Sequence, residues 1–223
     1  MGRHRATRAE EKEARRQQIL AAAGELLQGW SYSDISMERI AERAGIAKGT
    51  LYLYFRTKED LFLQVFEQWL GTWYAELEAL ARDGAGTVRI PAVARAISST
   101  LTSKPALVRL HGLLHSTILA NVDVETTTAF RHRHRRMMSS LVPALAERIE
   151  SLDETGALRL LVRIEAVVAG LSWAGTQPSA YDSSFSIPDL EVYHLDFEQE
   201  LMAIIVALLK SAVAGPTGRP AGS

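Results

Sequence analysis

One glycine, Gly45, set between two short stretches of helical period, constrains this chain more than any other feature. Before it, Ile40, Ala41 and Ala44 form an apolar stripe, and Ser36 stands where its hydroxyl can accept from an orphan amide of the first turn. Ile35, just ahead of that cap, and Ile40, one turn inside, are placed for a hydrophobic staple. Gly45 makes a tight turn, Ile46 plugs the corner, and a helix from about Ala47 to Phe55 follows. Two short helices joined by a glycine-containing turn form the unit that sets its second helix in the major groove of DNA, and here the motif spans 36–55.

The helical period sorts the side chains. Leu51 and Phe55 face inward with Ile40 and Ile46, which turns Lys48, Thr50, Tyr52 and Tyr54 outward as the i, i+4 pairs Lys48/Tyr52 and Thr50/Tyr54. Lysine offers a point charge to phosphate or a donor to a guanine edge, and threonine can bond a base edge or touch a thymine methyl. Tyrosine hydroxyls can donate to phosphate oxygens. Gly49 lets the backbone approach a duplex closely. Lys58 lies in the first turn of the next helix, where free amides already favour phosphate. Shape alone leaves other readings open, because a helix-turn-helix is a common packing unit and exposed tyrosines also suit a protein interface.

The remainder of the chain reads as helical. Residues 1–9 are expected to form a mobile arm, with helices over 10–28, 58–81, 87–102, 105–120, 122–152 (kinked at Pro143), 157–174 and 190–213. Thr57 caps the helix that starts at Lys58, with Asp60 at its third position, and Gly29 is expected to end the first helix in a left-handed conformation. A polar connection over 175–188 and a disordered tail over 215–223 complete an all-α fold of roughly nine helices. Its expected division is a DNA-binding domain over 1–57, a larger unit over 58–214, and the tail.

Composition agrees with this outline. With 47% hydrophobic residues, 223 residues suffice for a sizeable core. The absence of cysteine excludes disulfides and thiolate metal sites, and makes a reducing cytoplasm the natural compartment. Residues 1–13 are charged and do not read as a secretory leader, and no apolar run is long enough to span a bilayer, so no membrane is expected as a partner. The net charge of −1 conceals an asymmetry: residues 1–58 hold 11 basic and 7 acidic side chains, while the rest is acidic. A small basic unit joined to a larger acidic one suits a polyanion binder with a second function.

The run Ile40-Ala41-Glu42-Arg43-Ala44-Gly45-Ile46-Ala47-Lys48-Gly49-Thr50-Leu51-Tyr52-Leu53-Tyr54-Phe55, followed by Thr57-Lys58-Glu59-Asp60-Leu61, resembles the N-terminal signature of the TetR/AcrR family of regulators, over about 16–66. The resemblance implies a three-helix DNA-binding domain and a C-terminal helical domain that dimerises and binds a small ligand, most often as a repressor released from its operator. It places Lys48, Gly49, Thr50, Tyr52 and Tyr54 at DNA contacts, Lys58 on phosphate, and Ser36 where a hydroxyl meets the DNA backbone. Ala47 departs from the family's usual hydroxyl residue and Leu53 from a frequent tyrosine. No arginine points from the recognition helix, so bidentate guanine reading is sparse.

For the larger unit the resemblance implies a homodimer through the last two long helices, 157–174 and 190–213. Leu160, Leu161, Ile164, Val167, Val168 and Leu171, with Leu201, Ile204, Ile205, Leu208 and Leu209, give both helices apolar arcs wide enough to need cover on two sides, whether from a partner or from the chain's own core. The effector pocket is expected among the middle helices, with Trp69, Trp73, His111, His115, Met137, Met138 and Trp173 as candidate lining. Each of these also suits plain core. His111 and His115, four apart, share a helical face that a metal accepts, which keeps a metal-binding or enzyme-like protein as the alternative. No nucleophile-base set and no phosphate loop is visible, so neither catalysis nor a cofactor is expected. The basic run Arg131 to Arg136 after Phe130 reads as a solvated face, an acidic-ligand contact or a partner contact.

Overall fold

The computed structural model describes residues 2–83, 86–174, 192 and 194–214; the expected connection 175–188 and tail 215–223 lie outside them. Nine α-helices and no strand occur among the described residues. They are α1 (Gly2–Gly29), α2 (Met37–Arg43), α3 (Lys48–Tyr52), α4 (Lys58–Arg82), α5 (Ile90–Thr102), α6 (Pro105–Leu113), α7 (Val124–Arg148), α8 (Glu154–Leu171) and α9 (Phe197–Val213).

Side-chain caps set most of the helix starts. Ser36 accepts from the Arg39 amide at 3.2 Å and Thr57 from the Asp60 amide at 3.0 Å, as the sequence suggests. Asp123, Asp153 and Asp196 do the same for α7, α8 and α9, at 2.6, 2.6 and 2.8 Å. These caps move two expected boundaries: α8 starts at Glu154, and α9 starts at Phe197 rather than Leu190. Pro91 in the first turn fixes the start of α5 at Ile90.

Other differences have equally local causes. Helix α1 runs back to Gly2 instead of starting near Glu10, because the alanines and arginines of that stretch favour helix without needing an apolar stripe. It ends at Gly29, but without a left-handed residue there. Among the described residues, the glycines with positive φ are Gly45 (65°) and Gly86 (76°). At Gly45 the conformation closes a Schellman motif: the Gly45 amide donates to the Glu42 carbonyl and the Ile46 amide to the Ala41 carbonyl, both at 3.0 Å. Pro143 lies inside α7 without ending it, held by the buried Leu141, Val142, Ala144 and Leu145. The expected continuous helix over 105–120 breaks at Leu113 into a π-turn over Leu114–Ile118 and a 3-10 turn over Leu119–Asn121.

The core is continuous through α4. Ile19, Ala23 and Leu27 of α1 pack with Ile35, Ile40, Leu51 and Phe55 over Leu61 and Phe62, which hold the helix-turn-helix against the first turns of α4. Further along α4, Phe66, Trp73 and Tyr74 enter a larger core with Phe130, Leu141, Leu160 and Ile164, and α9 packs between α5 and α8. Backbones approach closely at two glycines. A Cβ on Gly24 would stand 2.8 Å from the Trp69 ring, and one on Gly112 would stand 2.9 Å from Ser172 Cβ and closer still to its Oγ.

Gly112→Ala is therefore expected to destabilise the fold by about 1–3 kcal/mol through overpacking. Thermal melting checks this, and Ser172→Gly in the same chain is expected to restore much of the loss.

Candidate nucleic-acid interface and interior polar cluster

Helix α3 owes its orientation to two buried anchors, Leu51 and Phe55, seated on α1, α2 and α4. The side chain of Gln18 on α1 donates to the Ala44 carbonyl at 2.7 Å, closing the C-terminus of α2, and Arg43 pairs with Glu25 at 2.5 Å. Short i to i−3 bonds at Leu53 and Tyr54 end α3 earlier than the expected Phe55, turning the chain toward α4.

That frame leaves Lys48, Gly49, Tyr52 and Leu53 exposed along one ridge, with Tyr52 at 46% and Leu53 at 79% exposure. Thr50 and Tyr54 are half-buried, and Tyr54 packs against the core. Nothing lies within 4 Å of where a Cβ on Gly49 would be, so a ligand backbone can approach there. Ser36 is exposed and spends an oxygen lone pair on its cap.

The two lysines already have partners. Lys48 forms an exposed ion pair with Glu38, which raises its pKa. Lys58 donates to the Tyr32 carbonyl and lies 3.9 Å from the centroid of the Tyr32 ring; burial lowers its pKa. The Tyr32 hydroxyl donates to Glu59 at 2.9 Å, and burial, then Glu59, pushes its pKa upward. Tyr32 and Arg39, whose guanidinium stacks 3.9 Å over Trp30, are elements of this surface that the sequence reading did not single out. Their contacts join the short turn before α2 to the helices, and no period in the sequence marks such contacts.

The sequence-proposed effector residues do not gather at one place. Trp69 borders a cavity at the end of α1, together with Arg109. Trp73 is buried, stacks on Tyr74 and donates from Nε1 to Thr100 Oγ1 at 3.1 Å. Met138 is buried and Met137 half-buried beside Gly71. His111 is buried, whereas His115 and Trp173 are exposed. The π-turn that opens at Leu114 changes the helical register, so the two histidines do not share a face as their spacing suggests. No group of three metal-ligating side chains is placed to hold an ion among the described residues.

The interior instead brings Tyr74 and Glu165, which no sequence motif marks, together with His134 of the basic run. Tyr74 donates to Glu165, and His134 Nε2 lies 2.7 Å from the same carboxylate oxygen. Phe130 stacks on His134 with centroids 5.5 Å apart. Burial, then Glu165, raises the Tyr74 pKa. His111 meets Phe66 edge to face at 4.8 Å, and its Nδ1 donates to the Leu107 carbonyl at 3.1 Å. Its Nε2 is then a bare, buried acceptor with no partner. Of the basic run, Arg133 pairs with Glu67 at 2.7 Å and Arg131, Arg135 and Arg136 are exposed. Glu67 has a raised pKa because its burial outweighs the arginine. A carboxylate at 165 inside the apolar pattern of α8 was the available signal for this cluster.

Comparison with known proteins follows the same division. A family model described as bacterial regulatory proteins, tetR family, matches residues 19–65, and one described as tetracyclin repressor-like, C-terminal domain, matches residues 67–214. The fatty acid metabolism regulator protein of Bacillus subtilis is 35% identical over 68 residues, covering 30% of this chain and 35% of that protein. The chain thus spans about a third of the length of the curated relatives it matches. A TetR transcriptional regulator from Rhodococcus superposes with a TM-score of 0.59 at 18% identity, over 93% of this chain and 99% of that one. Thermus thermophilus FadR, a TetR-family repressor in complex with lauroyl-CoA, gives 0.55 at 18% identity, over 93% and 100%. At such identities the structural likeness speaks for the fold.

Burial of His111 lowers its pKa below the ordinary value of 6.5. The unfolded chain then takes up a proton below pH 6.5 that the folded chain refuses, so stability is full above 6.5 and falls on acidification, by at most about 1.4 kcal/mol per pH unit from this group. Chemical denaturation between pH 7.5 and 5.5 is expected to show the decline, with a shallower slope in His111→Gln.

Proposed function

Because the chain belongs to the TetR family of bacterial regulatory proteins, we propose that it is a transcriptional repressor that binds operator DNA as a homodimer in the cytoplasm and releases it when a small-molecule effector binds. The observation that carries this is the α3 ridge: Lys48, Gly49 and Tyr52 stand exposed on a short helix whose opposite side is locked by Leu51 and Phe55. Lys48, Tyr52, Tyr54 and Ser36 would grip phosphate and sugar, Thr50 would meet a base edge or a thymine methyl, Gly49 would let the duplex close in, and Lys58 would hold a phosphate at the start of α4. Residues 1–57 would read DNA and residues 58–214 would respond to ligand and partner.

The dimer would form through α8 and α9. On α8, Val162 is 50% exposed beside the small residues Ala166 and Gly170, and Trp173, in the turn just past its end, is 45% exposed. On α9, Met202, Val206 and Leu208 are only partly covered. Such apolar faces favour a two-fold partner, which also matches an operator of two half-sites. The effector would enter among α4, α6, α7 and α8, beside His111. The bare Nε2 of His111 supports a ligand that donates a hydrogen bond there, since an unpaired buried acceptor is costly. The acyl-CoA bound to the Thermus thermophilus relative supports a ligand with an apolar part. An effector acts only through its differential affinity for the conformers that bind DNA and those that do not.

A gel shift of the protein on its own upstream DNA is expected to show sequence-preferring binding that weakens steeply with salt. Lys48→Ala and Tyr52→Ala are each expected to lower operator affinity about tenfold while leaving the dimer intact. Salt-insensitive binding without sequence preference overturns the reading. Val162→Glu is expected to yield monomers by light scattering, and an unchanged dimer would remove α8 from the interface.

A further inference from the structure

A cavity separate from the effector region above lies at the seam between α1 and the larger unit. A cavity of about 530 Å³ opens there between the end of α1, the middle of α4 and the start of α6, with Gln28, Trp69, Thr72, Lys104, Leu107 and Arg109 among its walls. That volume falls within the usual range for small-molecule sites.

The chemistry of the walls is specific. Trp69 supplies a broad aromatic face and is fixed in place, because its ring lies against Gly24 with no room for a Cβ. Arg109 is the unusual member. Its guanidinium is partly buried, it donates from Nη2 to the Leu27 carbonyl, its Nε has no partner, and no carboxylate pairs with it among the described residues. A partly desolvated cation held only by a carbonyl is under-compensated, and an anion that reached it would form the stronger charge-assisted bond. Lys104 adds a second positive group at the rim, where Glu76 holds it at 2.6 Å. Pro105 opens α6 at the same place, and no side chain caps that start. A flat apolar body lying along Trp69 would turn its anionic end toward Arg109.

We propose that this cavity binds small aromatic carboxylates, with Arg109 as the principal anion ligand, Lys104 as a secondary one and Trp69 as the stacking platform. The Leu27 carbonyl is one of the last acceptors of α1, and no basic residue of α1 itself lies in its final turn. Arg109 therefore serves as a C-terminal cap from outside the helix. A bound carboxylate competes for that cap, so occupancy is coupled to the contact between α6 and the DNA-binding unit.

The test uses the full-length protein, 2-naphthoate and its neutral isostere 2-naphthamide, with calorimetry as the readout. Saturable binding of 2-naphthoate is expected, at least tenfold tighter than 2-naphthamide. Arg109→Gln is expected to weaken it at least tenfold, Lys104→Gln by a smaller factor, and Trp69→Phe measurably. Thermal melting of each variant verifies that it is folded; should Arg109→Gln fail to fold, the amide comparison and Lys104→Gln decide. No saturable binding, equal affinity for acid and amide, or naphthoate affinity unchanged in both Arg109→Gln and Lys104→Gln overturns the proposal. None of these readouts involves DNA, so their failure is distinct from a failure of operator binding.

Discussion

Helix α4 is shared by two cores, and most of the architecture follows from that. Leu61 and Phe62 close the floor of the helix-turn-helix, and Trp73, Tyr74 and Leu77 on the same helix enter the interior of the larger unit. At 1.5 Å per residue, its 25 residues make a rod of roughly 37 Å. A repacking at one end of such a rod reaches the other as a tilt, without any relay of individual side chains. Helix α1 is laced to it by Arg16 to Gln64 and by Gln17 to Gln68, and Gly24 admits the Trp69 ring between the two helices. The unit that carries α3 is thus fastened along the first half of α4, while the second half is left to sense α5, α7 and α8.

The interior of the larger unit is less uniform than its apolar composition suggests. Tyr74, His134 and Glu165 hold one another inside a shell of Phe66, Phe130 and His111. A part-buried carboxylate with two hydrogen-bond partners costs desolvation that an apolar core does not, and adds little net stability. What it contributes is directionality, because only one packing of α4, α7 and α8 satisfies all three groups. His111, with one ring nitrogen satisfied and the other bare, is where that packing is incomplete.

The helix-turn-helix was legible because its determinants are local. The Ser36 cap, the Gly45 turn and the inward spacing of Ile40, Leu51 and Phe55 lie within twenty residues, and each acts over one turn of helix. The all-α class followed from the period. Where the determinants lie far apart in sequence, reading failed in characteristic ways. The break of α6 at Leu113 has no proline or glycine cluster to announce it, and it separates His111 from His115, which spacing alone unites. The Tyr74, His134 and Glu165 contacts span 31 to 91 residues. The starts of α8 and α9 are set by the Asp153 and Asp196 caps, which the apolar period of either helix does not mark.

The ion pair between Lys48 and Glu38 alters how salt will report on contacts of the α3 ridge. A lysine free in solution releases condensed cations from the duplex when it meets a phosphate. Lys48 must first leave a carboxylate, and that carboxylate then gathers a cation of its own. The second exchange offsets part of the first, so a phosphate contact by Lys48 would leave a smaller trace in the dependence of affinity on ionic strength than a free lysine would. If Lys48 holds a phosphate as proposed, counting phosphate contacts from a salt titration would undercount them by part of that one contact.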